Sequence, residues 1–217
     1  MILLAKLPLP QVLAQNAVAW TTELLAAIGA GQKLSDARKR RYNNPEIKAA
    51  LLQETHAKCA YCESKLTHIA YGDIEHIVPK AEEPARTYEW ENLTTACDIC
   101  NTRKSDQLGL SDPYVDDAEK VQFRFMGPMI TILAESEPGK LTLTHLDLNR
   151  TALLEKRKER IEDLGRRLGE ISKTQDDNTR AVLLKALIEG ETAASKEYAA
   201  CARAYVSDKT RDGDLPA

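Results

Sequence analysis

The sequence predicts an α+β fold in which a small cysteine-clamped core, with a short strand and a short helix, is flanked by helices at both ends of the chain. Three observations predict it. Apolar residues recur at helical spacing near the start and through most of the last third; two CxxC pairs, Cys59/Cys62 and Cys97/Cys100, bracket 34 residues; and the segments with β-like patterning are few and short. With 217 residues, 43% of them hydrophobic and 29% charged, the chain is long enough for a real core and has an ordinary globular composition. Four regions follow: helical 1–58, a core at 59–106, an extension with a β-hairpin at 107–148, and helical 149–217.

Taken in order, Val12, Leu13, Val18, Leu24, Leu25 and Ile28 define a first helix from Pro10 to Ile28, stopped by Gly29 and Gly31. The basic run Arg38, Lys39, Arg40, Arg41 reads as a solvated helix end or loop, or else as a phosphate contact. In NNPEIKAALLQET, Asn44 is the N-cap, Pro45 the first helical residue and Glu46 an acid in the first turn, so a second helix delivers the chain to Cys59. DIEHIV is a short strand closed by Pro79, and a polar connection runs to Trp90, which with Tyr88 reads as core packing or else as a base-stacking platform. CDICNTRKSD is a loop entering a short helix. MITIL and LTLT pair as a hairpin whose turn holds Pro138 and Gly139. NRTALLEKRKERIEDLGRRLGEI, TRAVLLKALIEG and TAASKEYAACARAYV form three helices, the last two separated near Gly190, and residues 207–217 are a frayed tail. Leu183, Leu184, Leu187 and Ile188, with Tyr198 and Tyr205, form either a partner-facing surface or a layer on the chain's own core.

The formal charge of −3 supplies no global basic field, so any polyanion has to be met locally. MILLAKLPLP lacks a charged n-region and is interrupted by Lys6 and two prolines, so it is not read as an export signal. No run approaches the 18 apolar residues of a membrane span, and a cytoplasmic location without membrane contact is the default expectation.

In a reducing compartment, paired CxxC motifs favour metal over disulfide. Each lets one tight turn present two thiolates to one ion, so Cys59, Cys62, Cys97 and Cys100 make a closed set for structural Zn. Cys201 has no such partner and reads as a small buried hydrophobe. Inside the clamp lie groups suited to phosphodiester hydrolysis, which needs a base for water and a cation for the charge on phosphate. His76 is the candidate base, Glu75 offers a hard oxygen and Asn101 a neutral amide oxygen for Mg²⁺, and Asn92 can fix the loop that orients His76. Strand alternation puts Asp73 on the face of Glu75 and His76 on the other, so Asp73 competes as the acidic ligand unless the strand bends or ends at His76. Arg103 and Lys104 are either phosphate contacts or a solvated pair. His56, His68 and His145 read as surface or helix-end residues.

The acidic residue followed by histidine at Glu75–His76, the Asn–Leu pair from Asn92 and the asparagine after the last zinc cysteine, Asn101, resemble the HNH endonucleases of the ββα-metal class. The resemblance covers Cys59–Asp106. It implies that Glu75 and Asn101 hold one catalytic Mg²⁺ or Mn²⁺, that His76 is the general base and that Asn92 steadies the site loop. Many HNH enzymes have Asp where this chain has Glu75. RYNNPEIKAALLQETHAKCAYCE, GDIEHIVPKA, YEWENLTTACDICNTRKSD and LTLTHLDLNRTALLEKR are similar to a narrower group, the PtuB subfamily of Septu-type and retron-associated anti-phage systems, from about Arg41 to Arg157. That resemblance implies a PtuA-like ATPase partner and, in retron systems, a reverse transcriptase with its RNA/DNA product. The function expected is metal-dependent hydrolysis of nucleic acid, DNA first, leaving a 5′-phosphate and a 3′-hydroxyl. RNA, including tRNA, is the alternative within the class, and a non-catalytic zinc module for recruitment is the alternative outside it.

Overall fold

In a computed structural model, residues 1–66, 72–133 and 135–211 are described. The chain divides into two compact units, Leu4–Val115 and a second made of Met1–Leu3 with Asp116–Ala217. The architecture is α+β, and among the described residues no helix is long and apolar enough to cross a membrane.

In the first unit, helix α1 spans Gln11–Gly29. Its inner stripe is Leu13, Ala17, Trp20, Leu24 and Ala27, spaced four, three, four and three residues apart. Val18, expected on that stripe, is 82% exposed, because its position falls between the inner residues of successive turns. Gly31 (φ +66°) lets the chain reverse after the helix. Short α2 covers Asp36–Lys39, so Arg38 and Lys39 form a helix end as expected. Helix α3, Pro45–Glu54, is capped by the Asn44 side chain, which accepts from the Glu46 amide at 2.8 Å.

Strand β1, Asp73–His76, pairs antiparallel with β2, Leu93–Ala96, in the register Asp73↔Ala96 to His76↔Leu93. Cys97 then caps α4, Asp98–Lys104. The β2 run Leu-Thr-Thr-Ala was not read as a strand from the sequence. Tyr42, Ile47, Leu51, Ile74, Tyr88, Trp90 and Leu93 pack with Leu13 and Leu24 in one core, which gives Tyr88 and Trp90 the first of their two expected roles, packing.

Residues 4–7 are also built into this unit. The Leu7 amide donates to Glu54 at 2.7 Å, Trp90 Nε1 donates to the Leu7 carbonyl at 2.9 Å, and the Lys6 ammonium reaches Glu54 and the Leu93 carbonyl between the rings of Trp90 and Tyr114.

In the second unit, α5 (Ala118–Val121) leads into β3, Phe123–Met126, which pairs with β4, Met129–Ile132, in the register Phe123↔Ile132 to Met126↔Met129. The hairpin therefore lies one strand earlier than expected. Its two-residue turn is Gly127-Pro128, and Gly127 at φ +59° supplies the conformation that the first turn position requires. LTLT instead lies in α6, Glu137–His145. Ser136 accepts from the Gly139 amide at 3.1 Å, and Pro138 sits in the first turn, so the residues expected to turn a hairpin start a helix.

Helices α7 (Thr151–Ser172), α8 (Asp177–Thr192) and α9 (Ala199–Arg211) bury Leu164, Leu168, Leu184, Leu187, Ala202 and Val206 together. Gly190 lies inside α8 and the break falls at 193–198, later than expected. The expected tail is helical as far as Arg211, while 212–217 lie outside the described residues. Leu184 and Leu187 thus belong to the chain's own core, whereas Leu183 is 43% exposed. Cys201 is buried, its thiol facing the Gly127 carbonyl at 3.6 Å.

Candidate active site

The first cysteine pair sits in a tight turn after α3. The Cys59 amide donates to the Ser64 carbonyl at 2.9 Å, the Glu63 amide to the Cys59 carbonyl at 3.0 Å, and the Ala60 amide ties the turn to β2 at Thr95, 2.9 Å away. The second pair spans the cap and first turn of α4. One ligand atom from each of the four cysteines lies within 4.8 Å of every other, and Cys62 Sγ is 3.8 Å from Cys97 Sγ. A tetrahedral site with Zn–S bonds of about 2.3 Å has sulfur–sulfur edges of about 3.8 Å, so the cluster fits zinc. Burial pushes the Cys59 thiol up, while hydrogen bonds among the thiols pull Cys62 down. A buried set of this kind ionises fully only around a cation. With four protein ligands the site is closed, which suits a structural ion.

Strand β1 ends at His76 and the chain bends at Ile77 and Val78. Glu75 and His76 therefore border the same cavity in spite of strand alternation. This cavity, about 420 Å³, is also lined by Asp73, Asn101, Asp106, Arg40, Tyr42 and Lys80. Asn101 Nδ2 donates to Asp73 at 2.8 Å, which brings the helix asparagine to Asp73. Glu75 instead faces Lys104, whose ammonium lies 2.9 Å from Oε1. Burial raises the Glu75 carboxyl, and Lys104 works against that shift. Lys104, offered by the sequence to phosphate, is fully buried: one turn beyond Asn101 it faces inward to Glu75. Arg103 is exposed.

His76 is 5% exposed, and its Nε2 lies 3.0 Å from the Thr87 carbonyl. A carbonyl only accepts, so Nε2 carries the proton and Nδ1 keeps its lone pair. Burial, aided by Lys80 and Lys104, lowers the imidazole to about 4 against the opposing Thr87 hydrogen bond, so it is neutral at neutral pH. Asn92, fully buried, accepts from the Val78 amide at 2.7 Å and donates to the Val78 and Arg86 carbonyls at 3.0 and 3.1 Å. It lies beneath the loop rather than in the cavity and fixes the segment that follows His76.

Asp73, Glu75 and Asn101 supply hard oxygens to one cavity beside His76, a donor set that fits Mg²⁺ or Mn²⁺. Sequence reasoning did not find Tyr42 and Lys80 there, and left Arg40 undivided within its basic run. His56 is exposed and His145 closes α6, both as expected; His68 lies outside the described residues.

Residues 59–107 match the HNH endonuclease family, and this segment is an HNH endonuclease domain. The chain is also similar to the Septu protein PtuB of Bacillus thuringiensis, with 34% identity over 76 residues that make up 35% of this chain and 30% of that protein. The match thus spans less than a third of the relative's length.

Proposed function

We propose that the chain is the nuclease subunit of a Septu-type anti-phage system, a Mg²⁺-dependent endonuclease that cuts DNA to a 5′-phosphate and a 3′-hydroxyl and works with a PtuA-like ATPase. The observation that carries this reading is the state of His76: a buried neutral imidazole, its tautomer fixed by Thr87, bordering one cavity with Asp73, Glu75 and Asn101. In the reaction His76 Nδ1 takes a proton from water as the water oxygen bonds to phosphorus; the bond from phosphorus to the 3′-oxygen breaks, and that oxygen is protonated from solvent. Asp73, Glu75 and Asn101 would hold the divalent ion, which would neutralise charge on the phosphate. Asn92 keeps the loop after His76 in place, and Lys104 orients Glu75. Similarity to PtuB supports the defence role and the partner.

The test is cleavage of plasmid DNA and total tRNA by the purified chain, with and without the ATPase and Mg²⁺, beside His76→Ala. DNA cleavage that requires Mg²⁺ and His76 is expected. Cleavage of tRNA alone would move the substrate to RNA, and cleavage by His76→Ala at the parent rate would overturn the mechanism.

A further inference from the structure

We propose that Lys80 and Arg40 form a second pole of the active-site cavity that holds the phosphate next to the one being cut, an inference resting on the nuclease reading above. The cavity carries both signs of charge. At the strand's start lie Asp73 and Asn101, hydrogen-bonded to each other. Beyond its end, past His76 and Pro79, lies Lys80. Three carboxylates, Asp73, Glu75 and Asp106, line the cavity against two cations, Arg40 and Lys80. Among the described residues neither cation pairs with a carboxylate, whereas Arg38 and Arg41 on either side of Arg40 both bind Glu23, at 2.7 and 2.6 Å. Its neighbours' charges are thus taken up by Glu23, while Arg40 lines the cavity.

Lys80 is positioned as well. Its ammonium donates to the Tyr42 hydroxyl at 2.7 Å and lies 5.0 Å from the centre of that ring, while the ring packs edge-on against His76 at 4.6 Å. Tyr42 is buried. One anchored side chain therefore ties the position of the ammonium to that of the base. Asp73, Glu75 and Asn101 would hold the divalent ion, while Lys80 and Arg40 belong to neither that ligand set nor, among the described residues, any internal ion pair. A polynucleotide carries a further phosphate one nucleotide along the strand, and a cation beyond the metal ligands meets that charge.

The experiment compares Lys80→Met, Tyr42→Phe and Lys80→Arg with the parent in the zinc-loaded full chain. Cleavage is measured on a DNA oligonucleotide and on thymidine 5′-(p-nitrophenyl phosphate), which has a single phosphodiester. Lys80→Met should lose at least about tenfold more kcat/KM on the oligonucleotide than on the small ester, chiefly through KM, with Tyr42→Phe weaker in the same direction and Lys80→Arg close to the parent. Oligonucleotide binding without added divalent ion gives an independent reading: the slope of log K against log salt should become shallower by about one for Lys80→Met. Equal losses on both substrates, or an unchanged slope, would overturn the second pole while leaving the nuclease reading intact. A parent that neither binds the oligonucleotide nor cuts either substrate would instead overturn the nuclease reading and the pole with it.

Discussion

The unit that carries the site and the unit built of α7 to α9 bury very different things. In Leu4–Val115, two four-residue strands and helices α1 to α4 enclose a cysteine cluster and, among the described residues, ion pairs with at least one buried partner: Lys58–Glu63 at 3.6 Å, Lys104–Glu75 at 2.9 Å and Lys6–Glu54 at 3.3 Å. In the C-terminal helices the shared core is aliphatic, and the buried charges are held differently: Arg157 donates to the Leu148 carbonyl at 2.8 Å, and Glu191 is met by Arg160 and by the partly exposed Arg167. A buried charge is strongly destabilising once its partner is removed, whereas apolar layers lose stability in proportion to the atoms removed. The site-bearing unit should therefore fail abruptly and the helical unit by degrees.

The largest effect should come from the cysteines. One zinc per chain is expected by elemental analysis, and its removal by a strong chelator or by Cys100→Ser should unfold the first unit, since such sites contribute on the order of 10 kcal/mol, comparable with a whole domain's stability. Circular dichroism should show a partial loss of helix with α7 to α9 persisting; an unchanged spectrum after zinc loss would erase the contrast. Next comes His76→Ala, which should lower cleavage by about 10²–10⁴-fold with zinc content unaltered, separating chemistry from clamp. Leu164→Ala, at a fully buried position in α7, should destabilise the helical unit by about 2–5 kcal/mol in thermal or urea unfolding and leave zinc bound.

The smallest effect concerns Glu191. Burial would raise its carboxyl, but hydrogen bonds from Arg167 and Arg160 outweigh that and hold it at about 2, against 4.5 for the free group. Its contribution is thus present above pH 4.5 and is lost as the pH falls towards 2. Glu191→Gln should cost about 1 kcal/mol at neutral pH and flatten the acid limb of the unfolding profile, because Arg167 stays partly exposed.

The clamp and the order of the site residues were legible because each is a local statement: two CxxC turns, Glu75 beside His76, Asn101 beside Cys100. Helix α3 was legible for the same reason, through Asn44 and Pro45. What could not be read depends on distant partners. Lys104 looks like a surface residue until the fold buries it directly against Glu75. Phe123–Met126 alternates well enough for a strand, yet β4 could have paired to either side of itself, and only the Gly127-Pro128 turn decides the matter. Ser136 and Pro138 are turn formers and helix starters alike, so the cap bond to Gly139 settled their role. Lys6, in an apolar opening, gave no hint that it would sit between two aromatic rings under β2.

The cluster of Cys59, Cys62, Cys97 and Cys100 also has a topological consequence. An ion held there closes residues 63–96 into a ring that contains Asp73, Glu75, His76 and Asn92. The exposed stretch Ala81–Glu83 lies on that ring, away from its closure. A chain nicked between Glu82 and Glu83 would keep both fragments joined through the metal, each still anchored to β1 or β2. New termini at that point, with the natural ends bridged, would therefore alter chain order without opening the clamp, whereas the same cut made without the ion would leave β1 held to β2 by their own pairing alone.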